Sequence, residues 1–249
     1  MRVLIISDIH ANLTAFKAVL EDTKDKWDVI WFLGDLVGYG PDPNECVAEL
    51  QKYNHIALSG NHDQAVLGNL DIKSFNREAV AAITWTQEAI TEETREYLAN
   101  CSSKHVEGIF TLAHASPRYP IWEYILDPHT AAENFGWFET EYCIVGHTHV
   151  PVMFEEHNNG HRTIVVRMPN YGEMVPPYPL SEGNGRLIIN PGSVGQPRDS
   201  DPRAAYALLD TDEMTWEYKR VEYSITEVQE RMQRFGMPQR LIDRLAHGV

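Results

Sequence analysis

The sequence predicts an α/β fold with a parallel sheet at its centre, and three observations carry that expectation. Short apolar runs recur at residues 3–6, 28–33 and 55–58, each too brief to form a helix of its own. Stretches of helical period separate them, which is the strand–helix–strand order of right-handed crossovers. Each run also stops on polar residues able to do chemistry, at the carboxyl edge where α/β sheets place their sites.

The elements follow in order. The run Val3-Leu4-Ile5-Ile6 is a buried strand that ends at Ser7-Asp8-Ile9-His10, and alternation along an extended chain would put Asp8 and His10 on one side. Asn12 is placed to cap a helix over 13–22, where Leu13, Phe16 and Leu20 recur at helical spacing. The second strand closes on Gly34-Asp35, and a glycine-rich loop over 38–43 leads into a helix through Leu50. A third strand ends at Ser59-Gly60-Asn61-His62-Asp63. Two helices fill 74–100, the second opening at Thr91 with acids in its first turn. Strands over 108–112 and 142–145 run into His114 and into Gly146-His147-Thr148-His149, with a helix after Asp127-Pro128 between them.

Beyond residue 150 the pattern changes. Runs at 151–154, 163–167, 186–189, 204–209 and 214–220 read as strands joined by turns, an antiparallel series. Within it, residues 168–185 are rich in proline, glycine and tyrosine and read as a long loop of the kind that forms lids or rims. A Ser224-x-x-Glu227 capping box opens a helix that ends near Gly236, and a short helix follows from Pro238.

Composition narrows the function. The 249 residues fit a single domain over 1–249, with 43% hydrophobic and 23% charged residues. A net charge of −15 argues against binding along a nucleic acid, which requires a basic stripe, but leaves a small phosphate ester open. Three well-separated cysteines suit reduced thiols in a cytoplasmic protein. No apolar run reaches membrane-spanning length, and the first strand leads straight into Asp8 rather than into a cleavable signal.

Five strand ends therefore carry side chains able to hold a metal: Asp8 and His10; Asp35; Asn61 and His62; His114; His147 and His149. Taken singly, a Gly-Asp pair is ordinarily a turn, and a histidine after a strand is ordinarily a hydrogen-bonded structural residue. The repetition is what carries information. Imidazole, carboxylate and amide donors without thiolate suit Mn, Fe, Co, Ni or Zn.

This series resembles the signature of the calcineurin-like metallophosphoesterases: Asp-x-His, Gly-Asp, Gly-Asn-His-Asp/Glu, His, Gly-His-x-His. Here it stands as Asp8-Ile9-His10, Gly34-Asp35, Gly60-Asn61-His62-Asp63, His114 and Gly146-His147-Thr148-His149, and Asn190-Pro191-Gly192-Ser193 extends the match as a structural loop. Length and the Gly-Ser loop place the chain nearest the small bacterial phosphodiesterase branch. The resemblance implies a four-layer αββα sandwich of two mixed sheets flanked by helices, with a di-metal site at the strand carboxyl ends. It further implies two divalent transition-metal ions, manganese among the candidates. Asp8, His10 and His149 would hold one ion, Asn61, His114 and His147 the other, and Asp35 would bridge them.

The implied activity is hydrolysis of a phosphate ester, most readily a diester on a small or nucleotide-like molecule. A metal-bridging hydroxide would be the nucleophile, since two ions about 3.5–4 Å apart clamp the attacking and leaving oxygens. His62 is the implied proton donor to the leaving oxygen; the alternative is a hydrogen bond that only orients Asp35. The protein Ser/Thr phosphatase branch continues Gly-Asp-x-x-Asp-Arg-Gly, whereas Gly38 and Tyr39 stand in those two places here. That leaves the partner of His62 open. Substrate phosphate would meet Arg118 or Arg198, unless these are surface arginines, and Tyr39 either lines the pocket rim or covers a turn. Two rival readings are a phosphomonoesterase of protein-phosphatase type and a non-catalytic metal-binding scaffold of the same fold.

Overall fold

The computed structural model describes residues 1–158, 160–169, 177–180 and 185–249. In chain order the elements are β1 (Arg2–Ile6), α1 (Leu13–Asp22), β2 (Val29–Phe32), α2 (Pro43–Leu50), β3 (His55–Ala57), α3 (Asn61–Val66), α4 (Arg77–Ala89) and α5 (Glu92–Ala99). They continue with β4 (Lys104–Glu107), β5 (Phe110–Ala113), α6 (Pro128–Asn134), β6 (Tyr142–Ile144), β7 (Val152–Asn158), β8 (Arg162–Arg167), β9 (Tyr178–Pro179) and β10 (Leu187–Asn190). The chain closes with β11 (Ala204–Asp210), β12 (Thr215–Val221), α7 (Ile225–Arg234) and α8 (Gln239–Arg244).

Among the described residues these form two six-stranded mixed sheets, ordered β3-β2-β1-β11-β12-β9 and β4-β5-β6-β10-β7-β8. Pleat alternation builds the layers. Val3 and Ile5 of β1 face Phe110, Ile144 and Ile189 of the other sheet, while Leu4 and Ile6 face Phe16 and Val19 of α1. Cys143 and Ile188 turn the opposite way, onto Ala131 and Phe135 around α6. The result is the αββα sandwich expected from the resemblance, with its central core between the sheets. Asn12 caps α1 as predicted, accepting from Ala15 N at 3.1 Å.

The structure revises several local readings. The C-terminal strands do not form one antiparallel run. β7, β8 and β10 join the second sheet and β11 and β12 join the first, and β10 also pairs in parallel with β6. The turn after β10 crosses from one sheet to the other, which hydrophobic alternation cannot reveal because both sheets present the same apolar faces. Three elements were not predicted: α3, which begins inside the Gly-Asn-His-Asp motif, the half-polar edge strand β4, and the short β9 within the expected 168–185 loop. Ser224 makes no side-chain capping bond; Ile225 N instead donates to Tyr223 O at 2.9 Å. Of the proposed 168–185 loop, Tyr178–Pro179 pairs with β12, and residues 170–176 and 181–184 lie outside the described residues. No helix among the described residues is long and apolar enough to cross a membrane.

Candidate metal centre

The loops after β1 and β2 are laced together: Asp8 N donates to Gly34 O, His10 N to Asp35 O and Ala11 N to Leu36 O, at 2.8–3.0 Å. Across the sandwich, His147 N donates to Asp8 Oδ2 (3.1 Å), while Gly195 N and Ser193 Oγ both donate to Asp8 O (2.9 Å each). The Asn190–Ser193 loop thus stitches the two sheets at the point where the five motifs meet. Alternation along a strand is not what aligns Asp8 with His10, since β1 ends at Ile6 and both residues have left-handed backbones, with φ of 53° and 48°. Asp35, Tyr39, His147 and His149 share that conformation, at φ of 58–64°. Such angles are costly for residues with a Cβ, and their concentration here marks a functional constraint.

All seven candidate ligands are buried. His149 Nε2 lies 3.3 Å from Asp8 Oδ1 and 3.2 Å from His10 Nε2, and His10 Nε2 is 3.7 Å from Asp35 Oδ2. On the other side of Asp35, His114 Nε2 is 3.4 Å from the same Oδ2 and 3.2 Å from Asn61 Oδ1. Donors that share one ion at bonds of about 2.0–2.2 Å must sit about 3–3.5 Å from each other, so these gaps have the size of a coordination shell. Asp8, His10 and His149 converge as one group, and Asp35, His114 and His147 as another. His62 also joins His10 and Asp35 in a third overlapping group.

Second hydrogen bonds set the imidazole tautomers. The Nδ1 atoms of His10, His114 and His149 face the carbonyls of Val37, Leu33 and Gln196 at 3.2, 2.9 and 2.6 Å, which directs each Nε2 lone pair inward. Asp35 Oδ1 accepts from His62 N at 2.8 Å. The inward atoms Asp8 Oδ1, Asp35 Oδ2 and His147 Nε2 are buried without a hydrogen-bond partner. Buried polar atoms are seldom left so, and here the orphans are the atoms a divalent cation would take. The donor set fits such ions. Within Asp35 it is Oδ2 that faces both His10 and His114, while Oδ1 is turned to His62 N.

Burial holds His10 and His149 below the usual imidazole range, and takes His147 to about 3. These rings are neutral and ready to ligate at pH 7. His114 differs. Burial opposes its charge, but the nearby carboxylates of Asp35, 3.4 Å away, and Asp8 together lift it to about 9. Metal-free protein therefore carries a proton on His114 at pH 7. A raised imidazole pKa contributes stability below about 6.5 that is lost as pH climbs through about 9, whereas ligation requires the neutral ring. We expect about one proton released on binding at pH 7 and affinity rising about tenfold per pH unit toward pH 9. Calorimetry in buffers of unlike ionisation enthalpy reads that proton; its absence at pH 7 would show His114 to be neutral.

Asp63, quoted in the motif but given no role from sequence, proves central. Its Oδ2 accepts from Asp35 N and Gly60 N at 2.9 Å each, and its Oδ1 from Val37 N at 3.1 Å, clamping the Asp35 turn to the start of α3. The available signal was an acid three residues after a helix N-cap. Gly60 is required by closeness: a Cβ there would lie 2.0 Å from Asp35 Oδ1. The same holds at Gly38 (φ 85°), where a Cβ would lie 2.6 Å from His62 Nδ1. Where protein phosphatases carry an acid, this chain thus has no room for any side chain. His62 is enclosed by rings instead, with Tyr39, His10 and Phe75 centroids at 4.3, 4.9 and 5.3 Å. Burial takes it to about 4.

The remaining sequence candidates divide. Tyr39 and Arg198 line a cleft of about 680 Å³ beside the centre. Arg118 does not: its guanidinium is held by Glu123 and by Glu133 (2.9 Å). Tyr124 was missed, although its ring lies 4.1 Å from that of His147. Nothing but an aromatic-rich run marks it in the sequence.

Comparison with known proteins agrees with this geometry. Residues 1–214 match the model of the calcineurin-like phosphoesterase superfamily domain. An uncharacterized protein of Methanocaldococcus jannaschii is 36% identical across 99% of this chain and 98% of its own length. The crystal structure of a metallophosphoesterase from Sphaerobacter thermophilus superposes with a TM-score of 0.88 at 45% identity, covering all of both chains. A symmetrical bis(5'-nucleosyl)-tetraphosphatase of Buchnera aphidicola is 40% identical over 74 residues, 29% of this chain and 25% of that one.

Proposed function

This chain belongs to the calcineurin-like phosphoesterase superfamily, and from that premise we propose that it hydrolyses phosphodiesters, on small or nucleotide-like molecules, with two divalent transition-metal ions. The observation that carries the reading is Asp35 Oδ2, buried and unpartnered between His10 Nε2 and His114 Nε2 at 3.7 and 3.4 Å. One carboxylate oxygen faces two donor groups, an arrangement that suits a pair of cations. Asp8, His10 and His149 would hold the first ion, Asn61, His114 and His147 the second. Manganese, iron, cobalt, nickel and zinc all suit these donors. Bound ions would supply Lewis-acid polarisation of the phosphoryl group and a water of lowered pKa.

The chain's own residues supply the rest. Arg198, whose main-chain N donates to His149 O at 3.3 Å, lines the cleft beside the centre, where its guanidinium would meet a substrate phosphate. The absence of a second phosphate-binding arginine at position 39 favours a diester monoanion over a monoester dianion. The segment shared with the Buchnera tetraphosphatase supports a nucleotide-like arm. Side-by-side rates on bis(4-nitrophenyl) phosphate and 4-nitrophenyl phosphate test this, after chelation and reloading with each metal. We expect chelation to abolish turnover and kcat/KM to favour the diester by at least about tenfold, a margin of about 1.4 kcal/mol in transition-state binding. A monoester preference would sink the diesterase reading.

His62 is assigned as proton donor to the leaving oxygen. Burial leaves it neutral at pH 7, so the acid role needs the anionic phosphate of a bound substrate to raise its pKa. With His62→Ala we expect metal content to hold while turnover of alkyl diesters falls about 10²–10⁴-fold. Nitrophenyl diesters, whose leaving groups need no proton, should fall much less. Equal losses on both would remove the acid role and leave His62 only orienting Asp35.

A further inference from the structure

We propose that the cleft beside the metal centre is an anion subsite for a second phosphate on the substrate, so that the preferred diesters carry a phosphate on the arm away from the scissile bond. The proposal rests on the phosphodiesterase reading and adds which diesters are taken. The cleft adjoins the centre directly, since Tyr39 packs on His10 at 4.7 Å and Tyr124 on His147 at 4.1 Å, and both rings also line the cleft. Its far wall is α8, which Leu241 and Ile242 anchor against Tyr39 and α4. At about 680 Å³ it has the size of a site for a nucleotide-sized ligand.

Its charges are what single it out. Three of the residues lining it are arginines, Arg198, Arg240 and Arg244, in a chain with 36 acidic residues against 21 lysines and arginines. Of the two acidic side chains lining the cleft, Glu78 lies 3.8 Å from Arg240, and Asp243 accepts from Gln239 at 2.7 Å. Arg198 and Arg244 meet no Asp or Glu side chain among the described residues. Arg198 donates to Gln196 Oε1 (2.8 Å) and leaves Nε buried without a partner, and Arg244 Nε donates to the carboxyl oxygen of Val249, the last residue of the sequence, which leaves its terminal nitrogens for an incoming anion. Burial foremost, and then the repulsion of Arg198 and Arg240, bring Arg244 down to about 10. An anion between Arg198 and Arg244 relieves that repulsion. Because Arg198 also borders the centre, an arm leaving the scissile phosphate passes from the metal ligands to Arg244.

The test compares thymidine 5'-(4-nitrophenyl phosphate) with the same ester bearing a 3'-phosphate, on the metal-loaded enzyme. We expect kcat/KM to be about 10–100-fold higher with the extra phosphate, chiefly through KM, as one charge-assisted contact supplies. Arg244→Gln should bring that ratio close to one, and Arg244→Lys should keep part of it. Equal values for both esters in the wild-type enzyme overturn the subsite and leave the phosphodiesterase reading intact; failure to hydrolyse either overturns that reading instead. A ratio preserved in Arg244→Gln overturns the assignment of Arg244. Independently of turnover, thymidine 3',5'-bisphosphate should bind the chelated protein by calorimetry more tightly than inorganic phosphate, and Arg244→Gln should abolish the difference. No difference in the wild-type protein counts against a site built for a tethered phosphate.

Discussion

Asp35→Asn should retain the fold yet lose turnover by on the order of 10³-fold, because metal stabilisation of phosphoryl transfer is worth several kcal/mol. The substitution is nearly isosteric. The amide oxygen can still accept from His62 N, as Asp35 Oδ1 does at 2.8 Å. What changes is Oδ2, the atom facing both His10 and His114, which becomes an N–H₂ group that cannot ligate a cation. Mass spectrometry of the purified variant should find fewer bound ions than in the wild-type protein. The charge change has a second consequence. Asp35 is a leading cause of the raised pKa of His114, so in Asp35→Asn that imidazole should titrate well below about 9. NMR titration of the chelated proteins can follow it. Full metal content with full turnover in this variant would remove Asp35 from the centre and with it the argument for a shared oxygen.

Asp63→Ala should cost about 3 kcal/mol or more in stability, the largest loss we expect from any single side chain near the site. Three buried backbone donors, Asp35 N, Val37 N and Gly60 N, share its carboxylate. Each unsatisfied buried donor costs about 1–3 kcal/mol. Burial and the adjacent charge of Asp35 push the Asp63 carboxyl up to about 7, so part of that loss is returned when the strained charge is removed. At this chain length a loss of about 3 kcal/mol lowers Tm by roughly 6–12 °C. Asp63→Asn, which keeps one acceptor oxygen, should recover part of it. Metal affinity should fall along with stability in the alanine variant, because the clamp fixes the turn that aims Asp35. A melting temperature within 2 °C of wild type would show that the clamp is dispensable.

The legible part of this protein was its chemistry-bearing residue types and their order. An apolar run must end where the sheet ends, so a side chain able to hold a cation just after each run advertises a site whatever the packing details. That is why Asp8, His10, Asp35, Asn61, His114, His147 and His149 could be named before any coordinates. Arg118 shows the limit of the method. Its position after His114 was suggestive, but Glu123 and Glu133 claim it, and which neighbour captures a long cation depends on loop shape. The same limit hid Tyr124, α3 and the clamp made by Asp63.

By itself the sequence determined the strand–helix alternation, the apolar faces and the set of donor atoms, because these follow from local periodicity and from the chemistry of single residues. Only the tertiary structure decided which sheet each C-terminal strand joins and that one oxygen of Asp35 lies between His10 and His114. It alone gathered Arg198 and Arg244 into one cleft. The reason is physical: positions up to about 190 residues apart are brought within hydrogen-bonding reach by left-handed turns and a loop crossing between sheets. Those are long-range closures that no window of neighbouring residues encodes.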